Sequence, residues 1–124
     1  LPISEAAAAI RAITGGAPLR PGLIKLDLPL LVESGNAVGM TVGVPDPLPG
    51  AARVVALHVI AEGNPLPNVL SVHFGPRAGR PVITTRIRLA TSQTVHAIAA
   101  CADGTFWTDS VELLVTLAAC IDEL

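Results

Sequence analysis

Proline and glycine break the apolar part of this sequence at short intervals, and that punctuation constrains the fold more than any other feature. The 124 residues include 11 of each. Proline fixes φ and lacks an amide donor, and glycine tolerates positive φ, so each cluster ends a regular element. The runs between them are strand-like. Leu23–Leu28 alternates apolar residues around Lys25 and Asp27, and Val38, Met40, Val42 and Val44 alternate with small or polar residues before Pro45-Asp46-Pro47 and Pro49-Gly50. Arg53–Ala61 is apolar on both faces, as in a central or partner-covered strand. The loop Glu62–Pro67 leads into Val69–Phe74, and Gly75–Arg80 turns the chain again. Ile83, Thr85, Ile87 and Leu89 then alternate with Thr84, Arg86 and Arg88, the clearest half-buried strand. Thr94–Cys101 and Phe106–Leu117 flank Asp103-Gly104, a hairpin signal.

Before these runs comes one helical stretch. Ser4 is a good N-cap for Glu5–Ile13, whose four alanines favour helix, and Thr14-Gly15-Gly16-Ala17-Pro18 ends it. The pattern therefore predicts a mainly all-β chain: an immunoglobulin-like antiparallel β-sandwich of about seven strands, nearly all antiparallel, preceded by a short N-terminal helix. The Cys…Trp…Cys spacing of antibody domains is missing, since the only tryptophan is Trp107. With no linker or repeat, residues 1–124 read as one domain, with the helix within 1–16 and a cysteine-bearing tail at 118–124.

Composition narrows the partners. The chain is 51% hydrophobic and 15% charged, with a mean hydropathy of +0.61. No apolar run reaches the roughly 18 residues of a spanning helix, so the surplus points to apolar surface covered by another chain rather than to a membrane. A net charge of −2 with two Phe and one Trp offers little to nucleic acid. The sequence shows no signal peptide and opens at Leu1 as the start of a processed chain could.

Little else suggests chemistry. His58, His73 and His96 sit on separate runs and read as exposed or singly hydrogen-bonded strand residues. Ser92, His96 and Asp103 can be written as a triad, but nothing resembles a nucleophile elbow. Arg86 and Arg88 share a strand face, usually a solvated stripe, with an anion or acidic partner as the alternative. No catalytic residue, metal ligand or cofactor site is expected. Two cysteines remain. Cys101 falls by the hairpin turn, as a small buried hydrophobe. Cys120 lies beyond the far end of the last strand, on the order of 40 Å away at about 3.3 Å per residue, too far for a disulfide. Both thiols are thus expected to be free, and Cys120 accessible.

Several segments in order resemble the SoxY family, the sulfur-carrier subunits of bacterial thiosulfate oxidation. They are Ile13-Thr14-Gly15-Gly16, Asn64-Pro65-Leu66-Pro67, Thr85-Arg86-Ile87-Arg88-Leu89-Ala90 with Ser92-Gln93, Asp103-Gly104, and Val115-Thr116. The resemblance implies a periplasmic immunoglobulin-like domain that is not itself an enzyme. It pairs with a SoxZ-like subunit and carries sulfur intermediates on a cysteine that visits other Sox enzymes. Cys120 matches that carrier cysteine. Its neighbours depart from the family's Gly-Gly-Cys-Gly-Gly arm: Ala118 and Ala119 precede it, and Ile121 and Asp122 follow. The alternative expectation is a diverged paralogue that carries nothing and acts as a binding or assembly module through its exposed sheet. Isolated, the chain is expected to self-associate through that sheet or a Cys120–Cys120 disulfide.

Overall fold

A computed structural model of the protein describes residues 4–44, 53–77 and 79–117. Helix α1, Glu5–Thr14, is capped as its sequence suggests: the Ser4 hydroxyl accepts the Ala7 amide at 3.0 Å, and Gly15, at φ 64°, closes the other end by donating to Arg11. Nine strands follow among the described residues: β1 (Leu19–Pro21), β2 (Lys25–Asp27), β3 (Leu31–Ser34), β4 (Val38–Gly43), β5 (Val54–Ala61), β6 (Asn68–His73), β7 (Val82–Ile87), β8 (Gln93–Cys101) and β9 (Phe106–Leu117). They make a large sheet in the order β1-β9-β8-β5-β6, with β3 also beside β9, and a small sheet β2-β4-β7.

The two sheets enclose one core. Leu26, Met40, Val42 and Ile87 face it from the small sheet, and Leu57, Val59, Val95, Ala97 and Leu113 from the large one. This is the β-sandwich that the alternating runs predict. Strand β5 is apolar on both faces for a reason internal to the chain. Its odd residues Leu57, Val59 and Ala61 enter the core, whereas Ile60 turns outward and packs with Ile98 beneath Ala6 of α1. The helix is thus a third layer, covering part of the large sheet's outer face.

Two of the nine strands, β1 and β3, escape the sequence pattern, and both correct the expectation of almost wholly antiparallel pairing: each runs parallel to β9. β1 pairs with the start of β9 (Leu19 opposite Phe106) and β3 with its end (Leu31 opposite Leu114). Between them the chain leaves the large sheet through Gly22 and Leu23, both at positive φ (102° and 70°), to lay β2 on the other sheet. The left-handed backbone at Leu23 costs about 1 kcal/mol. The Asp109 carboxylate of β9 accepts the Leu26 amide at 2.8 Å and so ties the crossing segment back.

Candidate functional site

The described chain stops at Leu117, where β9 passes into residues 118–124. Cys120 and its neighbours lie outside the described residues; the end of β9 that precedes them is described. Successive amides of β9 point to opposite edges. Leu114 donates to the Leu30 carbonyl on the β3 side (2.9 Å), and Val115 donates to the Ser92 hydroxyl on the β8 side (2.8 Å). Ser34 pairs with Leu117, and the Thr116 hydroxyl donates to the Glu33 carbonyl at 3.1 Å. The end of β9 is therefore held on both edges as far as Val115, and on the β3 edge up to the last described residue.

Asn64 organises the neighbouring loop. Its side-chain oxygen accepts from the Ala90 amide (2.8 Å) and the Gln93 amide group (3.0 Å), and its nitrogen donates to the Arg88 carbonyl (2.7 Å). Gln93 in turn accepts from Gly63 at 2.8 Å. Leu89 donates to the Gly35 carbonyl at 2.8 Å, and a Cβ at Gly35 would lie 2.0 Å from the Leu89 oxygen and 3.4 Å from Val115. Glycine is required by that close approach. The segments Asn64–Pro67, Arg88–Ala90, Ser92-Gln93 and Val115-Thr116, scattered through the sequence, thus converge on one end of the sandwich, at the root of residues 118–124. Sequence reading singles out the segments but not their meeting, which depends on register.

Beside this root the outer face is apolar and acidic. Leu31 and Leu114 are opposite one another on β3 and β9, 62% and 60% exposed, and Leu30 next to them is 70% exposed. Alternation puts Glu33 and Glu112 on the same face. Arg86 on β7 and Arg88 just past its end are exposed, alternating with the buried Ile87 and Leu89.

The histidines depart from the expectation of exposed or singly bonded residues. His58 is buried, bonds Ser71 through Nδ1 at 2.8 Å, and meets His73 edge to face at 5.9 Å. Burial, with a smaller push from His73, holds the His58 pKa below its ordinary value. His96 makes two contacts, to Ser110 at 2.7 Å and Glu62 at 2.5 Å. The triad written from Ser92, His96 and Asp103 is not assembled: Ser92 bonds Val115 and Asp103 bonds Thr105. Among the described residues no group of three or more His, Cys, Asp or Glu could hold a metal ion, and no helix is long and apolar enough to cross a membrane.

Cys101 is a free, buried thiol, 5% exposed, at the foot of the β8–β9 hairpin. Burial raises its pKa, the Thr105 hydroxyl lowers it, and Asp103 adds to the rise. A thiol so placed stays protonated and unreactive.

The architecture, an immunoglobulin-like sandwich with a helix on one face, recurs in solved structures. A variant of superoxide reductase (neelaredoxin) from Ignicoccus hospitalis is similar over 84% of this chain and 86% of its own, at 24% identity and a TM-score of 0.64. Superoxide reductase from Nanoarchaeum equitans is similar over 77% of this chain and 100% of its own, at 12% identity and a TM-score of 0.62. At such identities the likeness is one of fold alone. No curated protein matches the chain. The family follows from the sequence: residues 10–120 match the family described as sulfur oxidation protein SoxY, and the chain belongs to the SoxY family.

Proposed function

We propose that the protein is a periplasmic sulfur carrier, not itself an enzyme, that holds sulfur intermediates covalently on Cys120 and works with a SoxZ-like subunit and other Sox enzymes. The observation that carries this reading is the family match, which runs through residue 120. The geometry supports it: four of the segments that mark the family, Asn64–Pro67, Arg88–Ala90, Ser92-Gln93 and Val115-Thr116, converge on the root of residues 118–124. In the loading step the Cys120 sulfur and the outer sulfur of thiosulfate join in an S–S bond. The thiol proton passes to solvent and two electrons to the oxidising partner enzyme. The exposed Leu30, Leu31 and Leu114 supply apolar surface for a partner subunit.

Intact mass after incubation with thiosulfate and an oxidising Sox system tests the reading. A thiosulfate adduct on the wild type and on Cys101→Ala, lost in Cys120→Ser, is expected. An adduct that persists in Cys120→Ser sinks it.

The departures from the glycine arm favour a second reading. Ala118, Ala119 and Ile121 replace residues without side chains, and bulk beside the sulfur hinders entry to a narrow active site. In this reading the protein is a diverged paralogue that binds or assembles through its sheet. Cys120→Ser then leaves its activity intact, and Leu31→Asp with Leu114→Asp abolishes it.

A further inference from the structure

The register of β5 with β6 brings together two histidines that their sequence positions keep apart. His58 is opposite Ser71 and Ala56 is opposite His73, so His58 and His73 are diagonal neighbours, a spacing that long side chains bridge. Alternation puts both on the outer face of the large sheet, because Leu57 and Val59 enter the core. Their rings meet at 5.9 Å between centroids, with planes 86° apart. β6 is the last strand of that sheet, and His73 is exposed on it.

The buried ring is held as a ligand would be. The Ser71 hydroxyl donates to the Asn68 side-chain oxygen at 3.2 Å. Toward His58, 2.8 Å away, it therefore presents a lone pair and accepts the Nδ1 proton. That bond selects the tautomer whose Nε2 carries the free lone pair. Among the described residues no buried side-chain nitrogen or oxygen lacks a partner, and Nε2 of His58 has none in the protein, so Nε2 reaches solvent. Burial also keeps this ring neutral. A metal-bound imidazole is neutral and holds its other N–H on an acceptor, as the chain from Asn68 through Ser71 to His58 provides.

The ring separation decides whether one ion can bridge the pair. With a metal–nitrogen bond of about 2.0–2.1 Å, each ring centre stands about 3.2 Å from the ion. Two rings sharing an ion are then about 5.2 Å apart at the tetrahedral angle and about 6.4 Å apart when opposed across it. The observed 5.9 Å falls between these limits. Exposed His73 can rotate to aim a nitrogen at the ion while Ser71 holds His58 in place. His96 has no such vacancy, since its two nitrogens are bonded to Ser110 and Glu62.

We propose that His58 and His73 form a two-imidazole site for a divalent transition metal ion. His58 is the fixed ligand, His73 closes the pair, and water fills the remaining positions. Imidazole suits copper, zinc and nickel, and among these divalent ions copper(II) binds most tightly to a given site. The site uses neither thiol and stands apart from the sulfur-carrier reading.

The test uses the chain with Cys101→Ala and Cys120→Ser, free of any affinity tag, so that no thiol competes for copper. Equilibrium dialysis against copper(II) at neutral pH, with glycine as competitor, measures affinity, and electron paramagnetic resonance counts the bound nitrogens. One equivalent with a two-imidazole splitting pattern is expected. His73→Gln, at an exposed position, should weaken binding about tenfold or more and remove one nitrogen from the pattern. Ser71→Ala should weaken it about tenfold by freeing the His58 ring, and His96→Gln should leave it unchanged. His58→Gln should act as His73→Gln does; where that variant fails to fold, His73→Gln decides. Binding of no equivalent overturns the proposal, as does undiminished binding in His73→Gln. An equal loss in His96→Gln overturns it in favour of copper held elsewhere on the sheet.

Discussion

Asn64 shows how much one side chain can hold. It satisfies two donors and one acceptor from segments 24 to 29 positions away. Each such bond contributes about 0.5–1.5 kcal/mol, and Asn64→Ala strands the Ala90 amide, so a loss of about 2 kcal/mol is expected in urea unfolding. Asn64→Asp keeps the acceptor and loses the donor, and should fall between the two. His58 gives stability a pH dependence. Its folded pKa lies below the unfolded value of about 6.5, so above that pH neither state binds the proton. As pH falls through 6.5 the unfolded chain takes up a proton that the folded chain refuses. Stability therefore declines toward the folded pKa, by at most about 1.4 kcal/mol per pH unit. His58→Gln should flatten that decline in urea titrations between neutral pH and about pH 5; an unchanged slope contradicts the assignment. The two thiols divide in the same way. Iodoacetamide should modify Cys120 in the folded protein at a rate near that of a free thiol, and Cys101 only on unfolding, as peptide mapping would reveal.

At the scale of elements, the end of β9 is gripped between β3 and the Ser92 loop, and Gly35 allows the grip. Its Cβ position is already occupied by the backbone oxygen of Leu89, which cannot rotate away. Gly35→Ala should cost about 3 kcal/mol as overpacking, whereas Gly39→Ala, with open space around it, should cost far less in the same unfolding assay. The same region shows what sequence reading could reach. Long alternating strands such as β7 and β9, and the capped helix, were legible because each carries its periodicity within itself. β1 and β3 were not. Leu19-Arg20-Pro21 is three residues ending in proline, and Leu31–Ser34 shows no alternation beyond its two apolar residues. Both are strands only because β9 offers them an edge. His96 is a parallel case: the sequence offers Ser92 and Asp103 as partners, but register supplies Ser110 and Glu62.

For the whole molecule, the excess of apolar residues resolves into two parts. One is internal, since α1 covers Ile60 and Ile98 on the outer face of the large sheet. The other remains exposed among the described residues, at Leu66 and Val82 and, beside the root that leads to Cys120, at Leu30, Leu31 and Leu114. The family and the fold were both readable from motifs and punctuation; that four of those motifs meet at one end of the sandwich, while Asp103-Gly104 turns the hairpin at the other, needed the tertiary structure. Equilibrium sedimentation should show the isolated chain self-associating under reducing conditions, and Leu31→Asp with Leu114→Asp should leave a monomer. The most direct test of the central claim is thiosulfate-dependent electron flow in a Sox system reconstituted with this chain as its carrier. The account predicts turnover with the wild type and with Cys101→Ala, and none with Cys120→Ser; turnover sustained by Cys120→Ser contradicts it.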